Sequence, residues 1–425
     1  MKKIFLTLLF TMLFSLCCYG AEDCIIIDQP DNEITFDQAK NLSSGIMLLS
    51  DNVAETEIYY DQLTEYEKKY YDDLETNIIK LMDGTVTYVF KTDLNIDKKL
   101  SSSSAIWESV WDTLGVDVST FVFRPIYALT YFDKPQYFWL DINNITANYG
   151  SESGLYYPST GALKDFYIKL SVKSGCNAYF PDCYTSEEEV RSDYNSMMTK
   201  VDEIVSSVPD GSTEWGKLNY YMNWFKNNCE YNQYLSDNRA TRRAYLPTSA
   251  FLYGKDGINA PVCEGYSEAL KILCNRSGIK AMCTETFYTQ NGSETGHKWN
   301  LIDIDGKFYH CDPTWFDSHT SIDSYRYFLT GSTNMSSYDK SPNHTIKYQM
   351  SFCAPEISTT DYLNDFGING YNVLNVDNNT VIDQTDTIDL MKRLSGISSG
   401  TLNDVNNDGK MNINDAVIMQ KLMFR

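Results

Sequence analysis

Three residues have the types and spacing for thiol chemistry: Cys263, His297 and Asp312. Cys263 stands in Ala260-Pro261-Val262-Cys263-Glu264-Gly265-Tyr266, where a Gly/Asn/Pro-marked loop gives way to a helix running to about Ser277, closed by Gly278. At a helix N-terminus the macrodipole and unpaired N–H groups favour a thiolate. The same N–H groups can hold an oxyanion. Downstream, Gly296 to Trp315 reads as a β-hairpin turning at Asp305-Gly306. With a two-residue loop, Ile304 faces Lys307 and every opposing pair of residue numbers adds to 611. His297 and Asp312 then become diagonal neighbours on one face, with Cβ atoms about 7–8 Å apart or less. A three-residue loop would flip one strand and separate them. Nucleophile, base and base-orienting carboxylate would thus meet. Of the other histidines, His310 pairs with Leu301 and is assigned to the face opposite Asp312, while His319 and His344 fall in polar loops. No histidine pair has zinc-ligand spacing and no cysteines form CxxC, which argues against a metal enzyme.

A second set of residues supplies oxygen ligands. Asp404, Asn406, Asp408, Asn412 and Asp415 occupy positions 1, 3, 5, 9 and 12 of a loop with Gly409 at position 6 and Lys410 at position 7. A hard cation needs that many oxygens at about 2.3–2.6 Å, with position 7 contributing a backbone carbonyl. Twenty-nine residues earlier, Asn375, Asp377, Asn379, Asp383 and Asp386 repeat the pattern, with Thr380 in place of the glycine. A helix is expected after each loop, over 386–394 and 415–422. A β-branched residue in left-handed backbone costs about 1–2 kcal/mol, so the first of two calcium sites is expected to be the weaker. Two such loop-helix units in tandem, over 371–425, resemble a dockerin. That resemblance implies a small all-α calcium-binding module that docks onto a cohesin domain of a cellulosome scaffold.

The blocks Val262-Cys263-Glu264-Gly265-Tyr266, His297-Lys298-Trp299-Asn300 and Asp312-Pro313-Thr314-Trp315 resemble the bacterial transglutaminase-like cysteine enzymes over about 210–355. The resemblance implies an α+β, papain-like core in which a helix bearing the cysteine packs on an antiparallel sheet. It makes Cys263 the nucleophile, His297 the base and Asp312 its orienting partner, with no cofactor for catalysis. Lys298, where a small residue is frequent, is assigned to the rim of the site. The Cys263 N–H is the default oxyanion donor, with Asn232 or Tyr234 as side-chain candidates. A thioacyl intermediate can pass to water or to an amine. Hydrolysis of an amide or peptide substrate is the first expectation, protein cross-linking the second, and a catalytically silent binding module the third.

The elements that must position these residues are legible in part. Thr64 and Glu67 form a capping box opening a helix to about Met82; strands are expected at 85–90 and 166–172, and helices at 186–208 and 215–228. The domain expectation is a signal peptide over 1–20, an α+β region of unreadable role over 21–209, the catalytic domain over 210–355, a linker over 356–370 and the calcium module over 371–425. A net charge of −22 argues against nucleic-acid partners and anionic membrane surfaces, and no apolar run is long enough to span a membrane. The expected location is secreted and extracellular, associated with a cellulosome. Cleavage after Gly20 would leave nine of eleven cysteines, hence up to four disulfides and one free thiol. Cys176 and Cys183 are the first candidates for a local bridge.

Overall fold

The computed structural model describes residues 25–27, 33–36, 58–82, 87–96, 103–115, 117–290, 293–338, 344–347, 350 and 352–424. The expected signal peptide lies outside them. The N-terminal sheet is built from β1 (Ile25–Ile26), β2 (Ile34–Thr35), β3 (Thr87–Asn95), β4 (Ile145–Ser151), β5 (Leu155–Tyr157) and β6 (Ala162–Val172). Its path is β1-β5-β6-β4-β2, with β3 also paired to β6, and every pairing is antiparallel. Helices α1 (Glu65–Asn77), α2 (Ser103–Leu114) and α3 (Val118–Tyr127) belong to this region. The capping box at the start of α1 forms as expected, with Thr64 and Glu67 reciprocally bonded. Glu67 also takes Arg124 of α3 at 3.0 Å, a buried pair that fixes one helix to the other.

The second sheet carries the site. Helices α4 (Glu187–Ser206), α5 (Glu214–Asn228) and α6 (Cys263–Ser277) precede β7 (Ala281–Gln290), β8 (Ser293–Ile304) and β9 (Lys307–Cys311); a short helix α7 (Pro313–Asp317) and β10 (Phe328–Thr330) follow. The order is β10-β9-β8-β7, antiparallel throughout. Asp305 and Gly306 both take positive φ, 53° and 79°, which is the two-residue turn of a twisted hairpin. Ile304 pairs with Lys307 and Asn300 with Cys311, so the expected register holds. α6 lies across β7 and β8. Its apolar face, with Ala269, Leu270, Leu273 and Cys274, is fully buried.

The buried apolar residues form one cluster from Ile27 to Met423. The expected linker over 356–370 is packed on the hairpin instead. Ile357 bridges to Phe308, Lys307 pairs with Asp365 at 2.8 Å, and Tyr362 donates to Asp305 at 3.1 Å. Helices α8 (Gln384–Leu394) and α9 (Ile413–Met423) close the chain and contact each other. Their unit is seated on α5: Asn219 donates to the Ile382 carbonyl at 2.7 Å and Thr213 to that of Leu422 at 2.6 Å.

The eight described cysteines are all free thiols, so the expected disulfides, Cys176–Cys183 included, are absent among the described residues. Cys229, Cys274, Cys283 and Cys311 are buried on separate elements and pack as small apolar side chains. Cys311, for instance, rests its Sγ 3.7 Å from that of Met222 Sδ.

Candidate active site

Cys263 is the first residue of α6. Its N-cap, Val262, offers no side-chain hydrogen bond, which leaves the first-turn N–H groups open. The helix start is pinned from behind by Val262 N–H donating to the Ala244 carbonyl at 3.0 Å. Gly265 makes this possible: a Cβ there would sit 2.9 Å from the Ala244 oxygen and 3.0 Å from that of Leu246, and would also collide with Ser249 Oγ. The glycine of the Cys-Glu-Gly-Tyr block therefore lets the helix mouth press against the 244–249 loop.

His297 lies on β8, paired with Thr286 of β7, and is 9% exposed. Its Nε2–H donates to Asp312 Oδ2 at 2.7 Å. Asp312 itself is fully buried as the N-cap of α7, and its Oδ1 accepts from the N–H groups of Thr314 at 2.9 Å and Trp315 at 3.1 Å. The hairpin ladder ends at Asn300–Cys311, so it is the helix cap, beyond the last ladder pair, that aims the carboxylate. Burial alone would push the His297 imidazolium down. Asp312, together with a hydrogen bond and charge from Cys263, instead lifts it to about 10. Since Nε2 is committed to Asp312, Nδ1 is the nitrogen left for the sulfur. Burial would raise the Asp312 carboxyl, but His297, with His344, holds it well below the usual carboxylate range.

Sequence reasoning misplaced several neighbours. His344, assigned to a polar loop, donates to the same Asp312 Oδ2 at 2.9 Å. The nitrogen, nitrogen and oxygen atoms of His297, His344 and Asp312 all lie within 4.8 Å of one another, a set the linear spacing of the histidines conceals. His310 is two residues from Asp312 and shares its face, against expectation, because strand side chains alternate. Its Nδ1 accepts from Trp299 Nε1–H at 3.0 Å, and burial beside His344 pushes it down to about 3. Lys298 is not at the rim. It is buried, 2.6 Å from Glu268 Oε1 and over the Tyr131 ring, tying β8 to α6 and to the N-terminal region. Burial alone would lower its ammonium, but Glu268 holds it up.

Nor does Asn232 supply an oxyanion donor. Its Nδ2 is spent on the Ile258 and Ala260 carbonyls at 2.9 and 2.8 Å, bracing the loop ahead of Cys263. Tyr234 lies beneath Arg239. Tyr231 and Tyr245 both adjoin Cys263: burial comes first in raising each hydroxyl, followed by Cys263 for Tyr231 and by Glu264 then Cys263 for Tyr245. Beside α6 opens a cavity of about 270 Å³, lined by Tyr127, Tyr131 and Phe138 of the N-terminal region together with Arg242, Glu264 and Glu268.

The two loops of the C-terminal unit repeat one design. Asp386 Oδ1 accepts from Val376 N–H at 2.6 Å, and Asp415 Oδ1 accepts from Val405 N–H at 2.7 Å. Each carboxylate also closes a capping box, with Asp383 and with Asn412. Position 4 is left-handed in both, Asn378 at 61° and Asn407 at 54°, while Gly409 adds 81° in the second. Thr380 does not take positive φ, so the strain expected there is absent; the first loop takes another path at position 6. Asp377, Asn379, Asp404, Asn406 and Asp408 bond to N–H groups of their own loops. Lys410 is exposed, its N–H bonded to Asp408. Asn375 Oδ1, at position 1, is buried without a hydrogen-bond partner.

A helix-borne thiol, an imidazole on an antiparallel sheet and a helix-capping carboxylate beyond its edge are the parts that cysteine acyl-transfer chemistry uses. Residues 201–313 match the transglutaminase-like superfamily, a span that includes Cys263, His297 and Asp312. A solved structure described as "Crystal structure of a TGase" is similar over 36% of this chain and 42% of that one, at 14% identity and a TM-score of 0.24. This chain thus spans less than half of that relative's length. No curated protein matches.

Proposed function

We propose that the chain hydrolyses an amide or peptide bond through Cys263, His297 and Asp312, and that its C-terminal unit is a calcium-dependent dockerin. The observation that carries the first part is the 2.7 Å bond from His297 to a buried, four-donor carboxylate, with the other ring nitrogen left for Cys263. The Cys263 thiolate attacks the carbonyl carbon, and the oxyanion is held by the open N–H groups of α6. The His297 imidazolium then protonates the departing amine, leaving a thioester. Water, deprotonated by His297, attacks that thioester and restores the thiol.

The dockerin reading rests on the repeated loops and the orphaned Asn375 oxygen. Asn375, Asp377, Asn379, Asp383 and Asp386 would hold one calcium; Asp404, Asn406, Asp408, the Lys410 carbonyl, Asn412 and Asp415 would hold the other. Docking to a cohesin would place the enzyme outside the cell on a cellulosome scaffold. The alternative acceptor for the thioacyl group is a primary amine in place of water, which would make the reaction a protein cross-link.

Incubation of a glutamine-containing protein with and without a labelled primary amine decides between them. Ammonia or peptide release that does not depend on the amine, and is abolished in Cys263→Ala, is the expected result. Label incorporation outpacing release would establish cross-linking instead. Turnover that persists in Cys263→Ala would end both readings.

A further inference from the structure

We propose that His344 is a fourth member of the catalytic constellation, a positioning residue that holds Asp312 and divides its charge between two imidazoles. The inference rests on the cysteine acyl-transfer reading and extends it beyond the span matched by the superfamily, which stops at residue 313. Its basis is geometric. The His344 Nε2–H meets Asp312 Oδ2 at 2.9 Å, beside the His297 bond to the same atom. Its side chain is 4% exposed. Its ring stands edge-on to Trp299 at 4.9 Å, His297 at 5.2 Å and Trp315 at 5.5 Å. A histidine on a solvated loop has no reason to be sealed among two tryptophans with its proton aimed at a buried carboxylate.

Oδ1 is already filled by two backbone amides, so with both imidazoles in place the carboxylate has no free direction in which to turn. His344 also competes for the electron density that His297 draws on. A carboxylate shared between two donors grips each less strongly than it would grip one. The groups facing His344 are His297 from β8, His310 from β9, Asp312 at the cap of α7 and Tyr327 ahead of β10. Cys263 acts on His297, and His319 packs on Tyr327.

The test compares wild type with His344→Phe and His344→Leu, which remove the donor, and His344→Gln, which keeps an amide N–H near the Nε2 position. Two readouts are followed against pH: carboxymethylation of Cys263 by peptide mapping, and the ring resonances of the four histidines. Without the donor, His297 should lose its proton about one pH unit higher than in wild type. The alkaline limb of Cys263 reactivity should move with it, and kcat should fall severalfold at unchanged KM. His344→Gln should restore the wild-type limb. A folded Phe or Leu variant that titrates like wild type overturns the proposal, as does a Gln variant displaced as far as those two. If Cys263 in wild type alkylates no faster than a free thiol, it is the acyl-transfer reading that fails; the His297 resonance still reports on His344.

Discussion

At the scale of single residues, the site is a contest between burial and pairing, and pairing wins at His297. The imidazolium is favoured up to about 10 because Asp312 outweighs desolvation. Its folded-state value is raised, so the stability it contributes is fully present below its ordinary value of about 6.5 and is lost as pH rises through about 10. Asp312→Asn should abolish that alkaline slope in thermal melts and lower kcat by roughly 10³–10⁴-fold by unfixing the imidazole tautomer. A variant that kept the full rate would remove Asp312 from the mechanism. His310 works in the other sense. Held neutral down to about 3, it withdraws stability as pH falls below 6.5. The approach of His297 to Asp312 was legible in part: the hairpin turn sets the register as far as Asn300–Cys311, and the α7 cap carries the carboxylate beyond it. His344 was not, because a loop residue brought back by tertiary packing has no period to betray it.

At the scale of elements, the mouth of α6 depends on a side chain that is missing. Gly265→Ala would drive a methyl group into Ser249 Oγ and two carbonyl oxygens, displacing the helix start. The expected cost is about 1–3 kcal/mol in denaturant unfolding, with a larger proportional loss in the Cys263 alkylation rate than in stability. Ser249→Ala in the same background should restore little, since both carbonyls remain; full recovery would refute the steric account. Helix boundaries with strong caps were legible to within a residue or two, as at Ser186, Thr213 and Gly278. Ahead of β4 the chain coils into π and 3₁₀ turns over 128–133 and 135–137, which no strong cap signals. There Asp133 takes the Tyr59 and Tyr60 N–H groups and Lys134 pairs with Glu75, tertiary partners invisible to local propensity.

At the scale of the whole molecule, the proposed calcium loops and the packing around the thiol site belong to one body of contacts. In the first loop, burial pushes Asp386 up to about 6, with Asp377 adding to it against the loop N–H groups. Under the calcium proposal, protons would compete with the cation there as pH falls through 6. Calorimetric titration should resolve two calcium sites at pH 7.5 and a selective weakening of one at pH 5.5, absent in Asp386→Asn. Two equal sites insensitive to that change would contradict the assignment. No helix among the described residues is long and apolar enough to cross a membrane. The packing of the 356–370 segment was not legible, because its partners Asp305, Lys307 and Phe308 lie at the hairpin turn, remote in sequence. That segment and the seat on α5 carry a mechanical consequence. A terminal unit clamped by Asn219, Thr213 and Tyr325 gives the enzyme a fixed bearing relative to whatever grips that unit. Its mouth would point one way and sweep no arc, so substrates would have to be delivered to it.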